Sequence, residues 1–304
     1  MIDAREDALT QAQADTQAAP GADDRGWYLY GITRRGDLGT TRLERGGGGR
    51  GEAALAVDPA VDEGEPVQEL ECGALAAIVR LVPLTQFSAE ALRARGDDTA
   101  WIAAMARGHN QVIAAIHERQ AILPATFGRV YVRAEDVTTA VAGAQDALLA
   151  QLGRVEGCDE WAVHVYADHP AVQQRLVAEH PTMHQLQHEL AFAPPGRAYF
   201  LRRKLADELA TATDQVLSVL AQASYDHLAR WAAAGQVNQL ARSPRDAHGE
   251  KEILRAAFLV RRTSADTFLA ELRSCVEGRE GVRCAYSGPW PPYSFAVPIE
   301  EGST

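Results

Sequence analysis

One long uninterrupted helix constrains this chain most. Pro194-Pro195-Gly196 breaks the chain, and from Gly196 the pattern runs helical to about Ala233. Leu201, Leu205, Leu209, Val216, Leu220, Leu228 and Trp231 recur at helical spacing and mark its buried stripe. At 1.5 Å per residue such a helix is roughly 50 Å long, more than a small domain needs. Its far end is therefore expected to pack across a neighbouring domain or a partner. Arg202, Arg203 and Lys204 form a basic cluster on it, readable either as a solvated face or as a meeting point for an acidic partner.

The elements around this helix fall into an α+β order. Glu160 to Ala167 reads as a strand, with Trp161, Val163 and Val165 on one face and Ala162, His164 and Tyr166 on the other. Residues 170–192 read as a weaker helical region. After the long helix come a short strand at Val237–Leu240, a turn over 243–250 and a buried strand at Ile253–Val260. A helix from Ser264 to Cys275, with Phe268, Leu269 and Leu272 inward, leads to a last strand at Val282–Tyr286. That order predicts a modified ferredoxin-like domain, an antiparallel sheet with helices on one face.

The N-terminal half reads as a second α+β domain. Trp27–Ile32 and Ala74–Leu81 are compact apolar strands, and Ser88 is a candidate helix N-cap. Trp101 opens an amphipathic helix whose inner face carries Met105, His109, Val112 and Ile116, widened by Ile102 and Ile113. His109 there reads as a core or boundary residue. Ala121–Val132 reads as extended, and a helix from Glu135 or Asp136 to about Leu152 follows. The expected organisation is a disordered tail over 1–25, an N-terminal domain over 26–154, and the ferredoxin-like domain over 155–285. A Pro-rich and aromatic segment over 286–304 packs back on the body.

That last segment holds Tyr286, Pro289, Trp290, Pro291, Pro292, Tyr293 and Phe295. Proline removes backbone donors and fixes φ, so an edge strand or polyproline-like stretch is expected. Its rings either close a core or form a docking surface.

Composition excludes several functions. The net charge of −11 argues against nucleic acid and against an anionic membrane surface. No run of 18 apolar residues is present, so no membrane span is expected. Residues 1–25 lack a signal-peptide pattern, which makes a cytoplasmic location the default. Cys72, Cys158, Cys275 and Cys284 show no CxxC spacing, so no redox pair or metal knuckle is expected. The four glycines Gly46 to Gly49 lack the flanking strand, helix and Lys-Ser/Thr of a phosphate loop. Between Glu52 and Val79 acidic residues occur with no basic one, which reads as a solvated acidic face.

Chemistry is sparse. There is no Gly-x-Ser-x-Gly, Rossmann, Walker or HExxH pattern. His184 and His188 would share a helical face in zinc-ligand geometry, with His180 one step further; a metalloenzyme built on them is one alternative. On the residues alone, no cofactor and no catalysis are expected.

Gly288-Pro-Trp-Pro-Pro-Tyr-Ser-Phe295 resembles the C-terminal signature of the gas vesicle accessory proteins of the F/L family. Three further blocks resemble that family in its order. The first is Trp101, His109 and the Leu123-Pro124-x-x-Phe127-Gly128 run. The others are Glu160-Trp161 opening a strand, and Gly196-Arg-Ala-Tyr through Arg203-Lys204. Asn110 stands where an acid often follows the His, Thr126 where an Arg often precedes Phe-Gly, and Arg129 where a Thr often follows it. The resemblance implies a non-catalytic, vesicle-associated assembly factor whose partner is the small hydrophobic shell protein. Its other implied reading is a scaffold among the remaining accessory proteins. Trp101, His109, Pro124, Phe127, Gly128, the basic trio and the C-terminal Pro/aromatic residues are the implied motif or partner-binding positions.

Overall fold

A computed structural model describes residues 25–36, 66–96, 98–239 and 250–297. The expected tail, the glycine-rich excursion, most of the acidic stretch and most of the 243–250 turn lie outside these residues. The chain is mixed α and β in two compact units. Residues up to Gly157 and from Trp290 onward form the first, and Cys158–Pro289 form the second.

In the first unit β1 (Arg25–Arg34), β2 (Gln68–Cys72) and β3 (Leu75–Pro83) form an antiparallel sheet with β1 inside. β4 (Leu123–Pro124) and β5 (Val130–Tyr131) both pair with the free side of β1. The acidic residues Glu69 and Glu71 thus belong to an edge strand instead of a loose acidic face, and Glu71 pairs with Arg35 at 2.7 Å. The helices are α1 (Leu84–Phe87), α2 (Ala89–Ala94), α3 (Thr99–His117), α4 (Ala134–Gly143) and α5 (Gln145–Val155).

Caps set the helix starts. Ser88 Oγ accepts from the Ala91 N–H at 3.2 Å, and Asp98 Oδ1 from the Trp101 N–H at 3.0 Å, so α3 begins just ahead of Trp101. The inner face of α3 is Met105, Gly108, His109, Val112, Ile113, Ile116 and His117; Trp101 and Ile102 are only half-buried. Val112, Ile113 and Ile116 pack on Tyr28, Tyr30 and Ile78, each burial being worth about 1.5–3 kcal/mol. The single helix expected over 135–152 is two. Glycine is a weak helix former, and the break after Gly143 lets Gln145 Oε1 accept from the Ala74 N–H at 3.2 Å.

The second unit has the order β7-β8-β6-β9. The strands are β6 (Cys158–Ala167), β7 (Ala234–Val237), β8 (Lys251–Arg261) and β9 (Val282–Trp290). Numbered within the unit this is 2-3-1-4, the ferredoxin-like order. The modification is its first crossover, which holds three helices: α6 (His169–Glu179), α7 (Pro181–Ala191) and α8 (Pro195–Ala229). α9 (Ala265–Ser274) makes the second crossover. Trp161, Val163 and Val165 meet Leu217, Leu228, Phe258, Phe268 and Leu272 in one core.

α8 ends four residues before the expected Ala233. The Ala233 N–H donates to the Leu259 carbonyl at 2.7 Å, so the backbone has already joined the sheet, and Trp231 is left exposed. For the same reason β7 starts at Ala234, three residues ahead of the expected Val237–Leu240 strand, and shares only Val237 with it; Leu240 lies outside the described residues. Only the C-terminal half of α8 seats on the sheet core, through Thr213, Leu217, Ser224 and Leu228. Of the expected stripe, Leu228 is buried in this core and Val216 and Leu220 pack against it, whereas Leu201, Leu205 and Leu209 on the N-terminal half are only half-buried. β9 runs four residues past Tyr286, as an edge strand that tolerates Pro289.

Candidate functional site

Two of the four motif blocks converge in the first unit, through three segments of the chain. α3 supplies Ala106, His109 and Asn110; the β4–β5 connection supplies Pro124, Ala125, Thr126 and Phe127; the C-terminal segment supplies Tyr293 and Ala296. Together they line an open cavity of about 370 Å³. Tyr293 donates from its hydroxyl to Asn110 Oδ1 at 2.9 Å. The amide thus keeps the acceptor that an acid would provide at position 110, without the charge.

His109 locks the cavity wall. Its Nε2 lies 3.3 Å from the Ala125 carbonyl, which can only accept, so Nε2 carries the proton. Its Nδ1 is then an acceptor and takes the Tyr28 hydroxyl proton at 2.9 Å. The Tyr28 oxygen in turn accepts from the Gly128 N–H at 3.2 Å. This chain of bonds ties helix, strand and loop together. Gly128 sits at φ +84°, a conformation glycine reaches without strain, and so turns its N–H onto Tyr28. The imidazole stacks on Tyr30 at 5.5 Å and meets the edges of Tyr28 and Phe127 at 5.6 and 5.7 Å.

Burial holds His109 neutral, lowering its pKa from 6.5 to about 4, and raises that of Tyr28. A depressed histidine pKa means that the unfolded chain takes up the proton first. The stability this group supplies is whole above pH 6.5 and is lost as pH falls towards 4. At 1.36 kcal/mol per unit the loss is about 3 kcal/mol. Denaturant unfolding followed between pH 7 and pH 4 should show it, and His109→Phe should flatten that part of the profile.

Trp101 lies one side of this cluster, 5.9 Å from the Phe87 ring with Arg95 over its face at 5.0 Å. Thr126 lines the cavity, whereas Arg129 is turned onto Tyr131, its Nε donating to the hydroxyl at 3.0 Å. In the C-terminal run Pro291 and Pro292 are buried, Phe295 is half-buried, and Pro289, Trp290 and Tyr293 are exposed. Trp290, at 47 % exposure, is not the buried clamp that would close a core.

The basic trio lies in the second unit. Arg202, Arg203 and Lys204 are exposed on the N-terminal half of α8. His184 and His188 do share α7, with His180 capping it, but among the described residues no group of three or more His, Cys, Asp or Glu side chains could hold a metal ion. All four cysteines are free thiols, and burial pushes each pKa up, away from thiolate chemistry. The closest His–carboxylate pair, His164 Nδ1 to Glu252 Oε1 at 2.6 Å, is already engaged by Arg255 on the same carboxylate.

Tyr28 and Tyr30 are site residues that pattern reading missed. Their signal was present: two tyrosines at i and i+2 share one face of a strand. The Asn110–Tyr293 bond had no such signal.

The sequence profile of the gas vesicle synthesis protein GvpL/GvpF family matches residues 26–297. The chain belongs to that family. Gas vesicle protein L of Streptomyces sp. (strain CB03234) is 33 % identical, the match covering 91 % of this chain and 95 % of the relative. Gas vesicle protein F of the same organism is 27 % identical, with 88 % and 98 % covered. The crystal structure of GvpF from Anabaena sp. PCC7120 superposes with a TM-score of 0.63 at 17 % identity, covering 90 % of this chain and 98 % of that one. For a GvpL/GvpF chain the outcome is an accessory protein of gas vesicles. No helix among the described residues is long and apolar enough to cross a membrane.

Proposed function

We propose that this chain is a non-catalytic, vesicle-associated assembly factor that holds the small hydrophobic shell protein before or during its polymerisation. The observation that carries this reading is the cavity where two motif blocks meet. Its walls are largely apolar, from Ala106, Pro124, Phe127, the Tyr293 ring and Ala296, and its rear is braced by the His109 chain of bonds. A volume of about 370 Å³ suits a cluster of aliphatic side chains better than an extended polar substrate. Covering apolar surface returns about 25 cal/mol per Å², and a subunit with a large exposed apolar face aggregates unless something covers it. Binding energy alone performs this task, and no reaction is needed.

Co-expression of tagged protein with a shell protein, followed by size exclusion, tests the proposal. A soluble complex is expected, and Ala106→Trp, which fills the cavity from α3 without removing its hydrogen bonds, should weaken it at least about tenfold. Shell protein left in the pellet while this protein elutes alone would overturn it.

A further inference from the structure

The N-terminal half of α8 has little to do with the sheet it belongs to. From Pro195 to about Ala210 it buries Ala198 alone, beside Met183 and Leu186 of α7. The α7–α8 hairpin thus leaves one end with a thin core of its own, and that end carries three of the exposed large apolar side chains of the second unit. Phe192, the C-cap of α7, is 79 % exposed; Tyr199 and Phe200, in the first turns of α8, are 61 % and 71 % exposed. His188 packs against Phe192 at 5.2 Å, and Tyr199 and Phe200 meet edge to face at 5.6 Å. At roughly 150–250 Å² per ring, these exposures leave roughly 400 Å² of apolar surface, comparable to the largest patch on a typical monomer, which is often functional.

Charge lies beside the rings in register. Arg203 is one turn from Tyr199, and Lys204 one turn from Phe200, so ring and cation share a face. Arg202 extends the row. None of the three has an ion-pair partner among the described residues, whereas the nearby Arg197 does, with Glu189 at 3.4 Å. In a chain where 41 acidic residues outnumber 30 basic ones, three adjacent cations without an ion pair among the described residues stand beside three exposed rings, with the exposed Asp207 and Glu208 following one turn on.

We infer that this hairpin end docks an amphipathic helix of a partner protein, one whose apolar stripe is bordered by Asp and Glu. The one-turn spacing of ring and cation matches side chains one turn apart on a second helix. The bare rings take the apolar stripe, and the cations take the carboxylates at its edge. An anionic bilayer fits less well, because three cations supply about 1 kcal/mol each while the rest of the chain is repelled. The surface belongs to the second unit, and the inference does not depend on shell protein binding in the first.

The test uses the full chain and a fluorescein-labelled helical peptide of Leu, Ala and Glu, with a Leu, Ala and Lys peptide as its charge-reversed control. Fluorescence anisotropy should show binding of the Glu peptide and at least about tenfold weaker binding of the Lys peptide. The triple change R202E/R203E/K204E should invert that preference, and Tyr199→Ser with Phe200→Ser should weaken both. All five positions are exposed, so unchanged circular dichroism and melting temperature should accompany the losses. Equal affinity for the two peptides, or indifference to the triple change, would overturn the inference. So would binding to phosphatidylserine vesicles in place of the peptide. Concentration-dependent self-association that vanishes in the Phe200→Ser variant would overturn it in favour of a second copy.

Discussion

His109→Ala should cost about 4 kcal/mol or more of folding stability, read from denaturant unfolding at pH 7.5. Two losses combine. The ring is enclosed by Tyr28, Tyr30 and Phe127, and deleting a buried aromatic-sized side chain costs about 3–5 kcal/mol through lost transfer and the cavity left behind. The change also strands two polar groups. The Tyr28 hydroxyl loses its acceptor and the Ala125 carbonyl its donor, each worth about 1–3 kcal/mol where water cannot replace the partner. The open cavity beside the ring can admit water to the carbonyl, which offsets that second loss. His109→Gln separates the two losses, since an amide can accept from Tyr28 and donate towards Ala125 while giving up the stacking. It should recover part of the stability. A loss below about 1 kcal/mol for His109→Ala would mean that the loop carrying Phe127 and Gly128 is not pinned through the imidazole.

This histidine also shows what the sequence could and could not reveal. Helical spacing alone placed His109 on the inner face of α3, as a core or boundary residue, and the structure buries it there. The strand alternation of β6 was legible for the same reason, because Trp161, Val163 and Val165 repeat with the period of the pleat. Local chemistry likewise marked Ser88 as a cap. Local pattern failed wherever a distant partner decided the outcome. The break after Gly143 sets Gln145 against the Gly73–Ala74 turn, whose Ala74 N–H it accepts, and the Ala233 N–H turns to the Leu259 carbonyl. Tyr293 and Asn110 are 183 positions apart, so their bond leaves no trace in spacing. The exposed Phe192, Tyr199 and Phe200 were missed for a further reason. The leucine stripe of α8 runs its full length, and nothing in the pattern says that half of that stripe has no sheet beneath it.

Gly288→Ala should cost about 3 kcal/mol, with a matching fall in melting temperature. Gly288 opens the Gly-Pro-Trp-Pro-Pro run, and its φ of +147° is a conformation that L side chains rarely adopt. A Cβ built there would lie 2.9 Å from the Glu160 carbonyl oxygen and 2.9 Å from Trp161 Cε3. Neither neighbour can yield cheaply. The carbonyl belongs to β6, and the Trp161 ring is buried in the core with Phe258 and Val163. Backbone conformation contributes about 1–3 kcal/mol and forced overpacking a similar amount. Gly278→Ala is the control: φ there is +72°, also positive, but no atom lies within 4 Å of the added Cβ. That change should cost only about 1 kcal/mol, and the difference between the two variants isolates the contact with β6. Equal effects would mean that β9 does not press on Trp161 at this point. A larger loss in Gly288→Ala would explain, in terms of space alone, why this aromatic run must begin with a glycine.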